Sequence, residues 1–338
     1  MKGKSVDLLM RAKRRLDAQA NTAWTEYHPF RSAEARAEYL ASLERRERRW
    51  PIPSEDRVVT TSWARTFVRV GGPADGPPLV LMHGAATNSV SWECSIQGLS
   101  ERFRTYAIDN PYDVGRSVYT RDARSIDDYV AWMDEALTAL GLSTGINLVG
   151  MSYGAWLTAK YALAHPERLA RAVLLVPALT VQNVRFVWVV RALLSMLNRG
   201  LSQGFARWTL RDAYEQGPRA RQLVEEVADD GLALSKKCIS RHVVLPTKLA
   251  DDEWRRLATP TLVLLGEHEK HYHPSRAVRH LARVAPRVEV EVIPGAGHDL
   301  PAVHPELVNR MVLAFLQAGC DLARAGGSQG EPASQGTG

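Results

Sequence analysis

A serine between two glycines is the first feature of the sequence that could do chemistry. Ser152 lies at the centre of the motif GMSYG (150–154), directly after an apolar run and directly before a helical pattern. In a sharp strand-to-helix turn the serine hydroxyl points out of the sheet, and side chains two residues away on either side would collide with backbone. This context predicts a nucleophile elbow with Ser152 as the nucleophile.

A histidine late in the chain is the best candidate for the base that a serine nucleophile needs near neutral pH. His298 lies in the stretch GAGHD (295–299), directly after the last predicted strand. The small residues before it would let the loop fold over the edge of the sheet at which Ser152 also emerges. We therefore expect His298 to take the proton from Ser152.

An acidic residue is expected to orient this histidine and to stabilise its protonated form. The stretch GEHEK (266–270) follows an apolar strand and offers two carboxylates. Glu269 is preferred, because the third residue after the strand-ending glycine can turn back toward His298. Glu267 is the alternative.

Two backbone N–H groups are expected to form an oxyanion hole. One belongs to Tyr153, the residue after the nucleophile, and the other to the loop that follows the strand 78–84. Within HGAA (83–86), Ala85 is the best candidate and His83 is expected to be structural. Such donors stabilise the oxyanion of a tetrahedral intermediate, so they point to chemistry at an acyl group.

Three further histidines, His268, His271 and His273, cluster next to Glu269. The loop that carries them offers no helical face on which their rings would converge on a metal ion. We therefore expect a solvated loop, or a loop at the edge of the pocket, with no metal and no cofactor.

The elements that must position these residues alternate along the chain. Continuous apolar runs predict buried parallel strands, and helical patterns at 125–141, 153–165 and 305–318 separate or follow them. The runs are 78–84, 104–109, 146–150, 171–178, 261–266 and 288–295, after two β-like runs at 57–61 and 64–70. This alternation predicts an α/β fold with a mostly parallel central sheet flanked by helices.

A long insertion at 179–258 interrupts the alternation. It contains several helical patterns and no convincing strand, and we interpret it as an inserted helical cap that divides the core into 53–178 and 259–320. Residues 1–52 are predicted to form a basic helical extension, which could pack on the body, close over the cap or mediate a homodimer. Residues 321–338 have low complexity and are predicted to be disordered.

The composition is that of an ordinary globular protein. The 338 residues are 45 % hydrophobic and 24 % charged, and most of the net charge of +6 lies in residues 1–50. Basic and aromatic residues are not interleaved, so we expect no nucleic-acid partner, and no apolar run approaches the roughly 20 residues that cross a bilayer. Few, widely spaced cysteines and an N-terminus without an apolar segment favour a cytoplasmic location.

Six motifs, in this order, resemble the α/β-hydrolase superfamily and more narrowly its capped bacterial carboxylesterase-like members. They are LVLMHGAATNSVSW (79–92), IDNPYDVGRS (108–117), LVGMSYGAW (148–156), HPERL (165–169), PTLVLLGEHE (260–269) and VIPGAGHDL (292–300). The resemblance implies that Ser152 is the nucleophile, Glu269 the acid and His298 the base. It also implies that Ala85 and Tyr153 supply the oxyanion hole.

Two departures from the family pattern bear on the substrate rather than on the fold. The acid is a glutamate where many members use aspartate, and the loop 109–117 has an extra residue and only one glycine. The apolar stretch 181–197 of the cap is expected to line a pocket for an apolar acyl chain or ring system. The leading hypothesis is a serine hydrolase of apolar carboxylic esters. The alternatives are a biosynthetic tailoring enzyme, which would use the site for acyl transfer, elimination or cyclisation, and a ligand receptor.

Overall fold

A computed structural model describes residues 26–239 and 244–327, and a mostly parallel β-sheet forms its centre. The strands of these residues are β1 (Ser54–Thr60), β2 (Ala64–Gly71), β3 (Pro78–Met82), β4 (Arg104–Ile108), β5 (Val118–Tyr119), β6 (Ile146–Met151), β7 (Leu169–Leu175), β8 (Thr261–Gly266) and β9 (Glu289–Ile293). Their order is β1-β2-β4-β3-β6-β7-β8-β9, and β5 pairs with β2. The pairings of β2 are antiparallel, whereas all pairings along the path from β4 to β9 are parallel. The predicted fold class is confirmed.

Helices cover both faces of this sheet. The α-helices of the described residues are α1 (Ala33–Glu47), α2 (Ile96–Ser100), α3 (Ile126–Ala139), α4 (Tyr153–Ala164), α5 (Phe186–Ser195), α6 (Arg199–Thr209), α7 (Arg211–Glu215), α8 (Pro218–Lys237), α9 (Asp251–Arg256), α10 (Pro274–Val284), α11 (Leu300–Val303) and α12 (Pro305–Gly327). One hydrophobic cluster joins the sheet to α3, α4, α9 and α10, and a second joins it to α2, α11, α12 and parts of α6 to α8.

Strand β3 shows why the central strands are continuous apolar runs. Val80 and Met82 belong to one hydrophobic cluster, while Leu79 and Leu81 belong to the other, and all four side chains are fully buried. Successive side chains of a strand point to opposite faces, so a strand covered on both faces needs apolar residues at every position. The two-layer covering follows directly from this pattern.

The predicted helices outside the cap form close to their expected bounds, with one difference at the end of the chain. Helix α3 begins with the capping pair Ser125 and Asp128, whose side chains each accept a hydrogen bond from the other's backbone N–H. Helix α12 runs to Gly327, so the start of the tail predicted at 321 is too early, and residues 328–338 lie outside the described part. Among the described residues, no helix combines the length and the apolar character that a membrane span requires.

Helices α5 to α8 lie between β7 and β8, in the interval predicted for a cap. Their mutual contacts make them a small layer of their own, in which α6 packs against both α5 and α8. An extended segment from residue 244 then leads to α9 and back into the sheet. The insertion therefore leaves and rejoins the core at the carboxyl end of β7 and the start of β8.

The described part of the predicted N-terminal extension packs on the body of the protein. Arg46 of α1 makes a buried ion pair with Asp230 of α8 (2.7 Å), and Glu47 accepts a hydrogen bond from the guanidinium of Arg116 (2.8 Å). Helix α1 thus links the inserted helices to a loop of the core. Residues 1–25 lie outside the described part.

Candidate active site

The serine of the GMSYG motif lies on a tight turn between β6 and α4. Ser152 has φ +54° and ψ −109°, a conformation that residues with a side chain rarely adopt. Its N–H donates to the carbonyl oxygen of Leu175 at the end of β7 (2.9 Å). This hydrogen bond ties the turn to the neighbouring strand, so the sheet holds the unusual backbone in place.

Close backbone contacts require the glycines on both sides of Ser152. A Cβ atom on Gly150 would overlap the carbonyl group of Gly154, and a Cβ atom on Gly154 would overlap the carbonyl oxygen of Met82. The opposing groups are main chain of helix α4 and strand β3, which cannot rotate away as a side chain can. The motif is therefore a steric requirement of this turn.

Ser152, His298 and Glu269 form one chain of hydrogen bonds. His298 Nε2 lies 2.8 Å from Ser152 Oγ, and His298 Nδ1 lies 2.8 Å from Glu269 Oε2. The three residues follow β6, β9 and β8, and the carboxyl ends of parallel strands lie at one edge of a sheet. Since the carboxylate accepts a hydrogen bond from Nδ1–H, Nε2 carries no proton and is free to accept the proton of the serine hydroxyl.

Glu267, the alternative acid, lies away from the imidazole. Its side chain is exposed, and its carboxylate accepts a hydrogen bond from the N–H of Gly295 (3.0 Å). Glu267 therefore braces the loop that carries His298. The hydrogen bond to His298 belongs to Glu269.

The carboxylate of Glu269 is fully buried and stays ionised. Burial alone would raise its pKa, but the nearby imidazoles of His298 and His271 hold the pKa well below its usual range. Oxygen Oε1 accepts hydrogen bonds from the N–H of Lys270 (2.7 Å), the N–H of His271 (2.9 Å) and Nδ1 of His271 (2.7 Å). Oxygen Oε2 is thereby left to His298.

His271 is a site residue that the sequence reasoning missed. Its loop is expected to be either solvated or at the edge of the pocket, and the first alternative is wrong for His271, because only 3 % of its surface is exposed. Burial and the proximity of His298 lower its pKa to about 4. His268 and His273 are exposed, as expected for such a loop. The position of His271, two residues after the acid in a tight turn, is the signal that would have identified it.

Glu269, His271 and His298 are also the residues of the described ranges whose ligand atoms are close enough to hold a metal ion, all within 4.8 Å of one another. These atoms are already paired, because each imidazole Nδ1 is hydrogen-bonded to a different oxygen of Glu269. We therefore interpret the cluster as a hydrogen-bonded group rather than a metal site. His268 and His273, the other members of the predicted histidine loop, are not part of it.

The two predicted oxyanion donors belong to the residue after Ser152 and to a loop that passes close to it. Tyr153 is the first residue of α4, where the N–H has no partner within the helix. The loop 83–86 passes close to the nucleophile, since a Cβ atom on Gly84 would lie 3.4 Å from the Cβ of Ser152. Ala85, the next residue in this loop, is exposed. The loop that carries Ala85 therefore lies beside Ser152.

The buried side chain of Asp113 is hydrogen-bonded to the loop 83–86, the predicted oxyanion loop. Asp113 accepts a hydrogen bond from the N–H of Ala86 (2.8 Å), a residue with φ +57°. Burial raises the pKa of Asp113 to about 7, although its hydrogen bonds from the Val114 and Ala86 N–H groups act in the opposite direction. Asp113 belongs to the loop 109–117, which the sequence analysis singled out without giving this residue a role.

Aromatic side chains of the inserted helices lie against His271. The Trp188 ring of α5 lies 4.4 Å from the ring of His271, and Phe205 of α6 lies 5.3 Å from Trp188, measured between ring centroids. Trp208 continues this group beside Phe205. The inserted helices therefore present an aromatic surface at the edge of the sheet that carries Ser152.

Comparison with known proteins identifies the relatives of this chain. The model of the alpha/beta hydrolase family matches residues 79–311. Carboxylesterase YbfK of Bacillus subtilis is 32 % identical over 271 residues, which cover 80 % of this chain and 90 % of that protein. The uncharacterized carboxylesterase nap of the same organism is 32 % identical over 277 residues, 81 % of this chain and 91 % of that protein. The crystal structure of naproxen esterase (carboxylesterase NP) from Bacillus subtilis superposes with a TM-score of 0.78 at 28 % identity, over 84 % of this chain and 99 % of that one.

Proposed function

The chain belongs to the alpha/beta hydrolase family and is a carboxylesterase-like enzyme, and from this premise we propose that it cleaves esters of apolar carboxylic acids through a Ser152–His298–Glu269 triad. The observation that carries the proposal is the unbroken chain of hydrogen bonds from Ser152 Oγ through both nitrogens of His298 to Glu269, with 2.8 Å at each link. Glu269, at the end of this chain, has a pKa held well below its usual range, as an acid that stabilises an imidazolium ion requires.

The reaction follows from the positions of these atoms. Ser152 Oγ attacks the ester carbonyl carbon while His298 Nε2 takes the hydroxyl proton. The carbonyl oxygen becomes an oxyanion, which the N–H groups of Tyr153 and Ala85 would bind; a single such donor is typically worth about 3 kcal/mol in the transition state. His298 then protonates the leaving alcohol, and an acyl-enzyme on Ser152 forms.

Water completes the cycle by the same steps in reverse order. His298 removes a proton from the water molecule, which attacks the acyl carbon, and the carboxylic acid leaves when Ser152 regains its proton. Throughout, the ionised Glu269 stabilises the positive charge that His298 carries transiently. The low pKa of Glu269 supports this role, because a carboxyl group that stayed protonated would not stabilise an imidazolium ion.

The aromatic surface of the inserted helices supports an apolar acyl group. Trp188 and Phe205 form an edge-on pair, and Arg191 lies over the ring of Trp208 at 4.7 Å. Aromatic side chains that line a pocket bind rings and hydrocarbon chains, while nearby polar groups fix the ester. One solved relative is a naproxen esterase, so an ester of an arylalkanoic acid belongs in the test panel.

Steady-state and pre-steady-state hydrolysis of p-nitrophenyl esters tests the proposal. We expect a burst of p-nitrophenol close to one per enzyme, and kcat/KM that rises from the acetyl to the hexanoyl ester, with naproxen methyl ester also cleaved. Ser152→Ala is the control and should show neither burst nor turnover. Turnover that survives in Ser152→Ala, or no ester cleavage by the folded wild type, would contradict the proposal. Transfer of the acyl group to an added alcohol in preference to water would instead favour a tailoring enzyme.

A further inference from the structure

The carboxylate of Glu269 serves two histidines, and each has its own oxygen. His298 Nδ1 lies 2.8 Å from Oε2, while His271 Nδ1 lies 2.7 Å from Oε1. An ionised carboxylate only accepts hydrogen bonds, so both imidazoles carry a proton on Nδ1. His271 therefore has the same tautomer as His298, but it does not contact Ser152.

His271 stays neutral at the pH at which the triad would work. Its pKa is lowered to about 4 because the ring is buried and lies beside His298, and these effects outweigh the attraction of Glu269. A charged His271 would compete with His298 for the negative charge of Glu269. A neutral donor instead fixes the carboxylate while leaving its charge available to the imidazolium of His298.

The ring of His271 is also the middle member of a stack. Its centroid lies 3.9 Å from that of His298 on one side and 4.4 Å from that of Trp188 on the other. The backbone carbonyl of His271 accepts a hydrogen bond from the N–H of Arg185 (2.7 Å), the N-cap residue of α5. The first helix of the insertion therefore contacts His271 twice, through the backbone at its N-terminus and through the ring of Trp188.

We propose that His271 is a positioning residue of the triad, which directs the carboxylate of Glu269 toward His298, fixes the plane of the His298 ring and connects both to the inserted helix α5. The inference rests on the proposed function, since it concerns the same triad. Two backbone N–H groups also donate to Oε1. The side chain of His271 therefore adds a third donor to a carboxylate whose orientation is already partly fixed. Its removal should slow the reaction and leave the nucleophile in place.

Two substitutions separate the hydrogen bond from the ring. His271→Asn keeps a side-chain N–H donor near the position of Nδ1 but removes the ring, whereas His271→Phe keeps a stacking ring but removes the donor. His273→Asn is the matched control, because His273 is exposed on the same loop. The measurements are kcat and KM for p-nitrophenyl butyrate from pH 5 to 9, with a fluorophosphonate titration that counts functional sites.

We expect His271→Phe to lower kcat roughly 10- to 100-fold, the range for a hydrogen bond to a charged group, with KM within about threefold of the wild type. The acidic limb of its kcat/KM profile should shift to higher pH by roughly half a unit. The carboxylate of Glu269 would then have one hydrogen-bond donor fewer and would attract the imidazolium of His298 more strongly. His271→Asn should recover the wild-type limb and only part of kcat, because it restores the donor but not the ring that stacks on His298. His273→Asn should match the wild type.

A wild-type rate per titrated site and an unmoved acidic limb in His271→Phe would overturn the inference. Equal losses in the Asn and Phe variants, matched by equal losses of titratable sites, would also overturn it, since that pattern belongs to a residue that merely supports folding. Failure of the proposed function has a different signature. In that case the wild-type protein itself would give no stoichiometric titration and no ester cleavage.

Discussion

The nucleophile turn (150–154) and the acid loop (266–273) meet at His298, but different forces hold them. The turn is fixed by main chain against main chain, with Gly150 and Gly154 at the two contacts that exclude a side chain. The acid loop is fixed by hydrogen bonds that converge on Glu269. The backbone contacts admit no larger residue, whereas the two hydrogen bonds from histidine side chains can be removed one at a time. We therefore expect substitutions in the turn to abolish the folded site, and substitutions in the acid loop to lower kcat in graded steps.

The largest effect is expected where the turn is broken. Gly150→Ala places a methyl group into the carbonyl group of Gly154, so we expect loss of the folded site rather than a graded loss of rate. The measurement is the number of fluorophosphonate-titratable sites together with the thermal unfolding midpoint. We expect few titratable sites and a clearly lower midpoint.

Gly204→Ala is the matched control for this experiment. Gly204 lies within α6, and a Cβ atom there would meet nothing within 4 Å. Alanine is favoured over glycine in a helix by about 1 kcal/mol, so this variant should be as active as the wild type and slightly more stable. Normal activity in Gly150→Ala would contradict the steric account of the turn.

The next largest effect is expected at the acid. Glu269→Gln keeps the size of the side chain but removes the charge, so we expect kcat to fall by about 10³-fold or more, the order found when a triad carboxylate is neutralised. Glu267→Gln is the control and should stay within about threefold of the wild type, a loss below about 0.7 kcal/mol. Steady-state kinetics on one p-nitrophenyl ester measures both. Equal losses in the two variants would mean that the acid is wrongly assigned.

A smaller effect is expected at Asp113, which should make the stability of the protein depend on pH. The pKa of Asp113 is raised to about 7, so the folded protein keeps a proton that the unfolded chain has released. Its contribution to stability is therefore present at low pH and is lost as the pH rises from about 4 to about 7. Asp113→Asn does not titrate, so its free energy of unfolding relative to wild type should rise between pH 5 and 8 by up to about 3 kcal/mol.

Urea unfolding at the two pH values measures this difference. Asp75→Asn, which replaces an exposed aspartate, should show no such trend. A constant difference between Asp113→Asn and the wild type would mean that Asp113 is ionised in the folded protein throughout this range. The oxyanion loop would then be held by a charged carboxylate.

The nucleophile turn could be predicted from the sequence because its determinants are local. The apolar strand, the two glycines and the start of α4 lie within one short segment, and the backbone sterics act between neighbours in the chain. The central parallel strands could also be predicted from the sequence, because burial on both faces requires apolar residues at every position. Strand β5 was missed, since two residues carry no periodic pattern.

The environment of the acid loop could not be predicted in the same way. The burial of His271 depends on Trp188, which lies far away in the sequence and reaches the loop only after the inserted helices have folded over it. The role of Asp113 depends in the same way on Ala86, to which it is joined only in the folded protein. Residue type and spacing identified Ser152, His298 and Glu269 as candidates, whereas the residues that position them were visible only once the tertiary contacts were known.

We propose that Ser152 is a nucleophile activated by His298 and Glu269. Intact-mass analysis after incubation with a fluorophosphonate is the experiment to do first, with Ser152→Ala measured in parallel. We expect one adduct per wild-type chain, no adduct on the folded Ser152→Ala protein, and much slower labelling of Glu269→Gln than of Glu267→Gln. No adduct on folded wild-type protein, or an adduct that persists in Ser152→Ala, would contradict it.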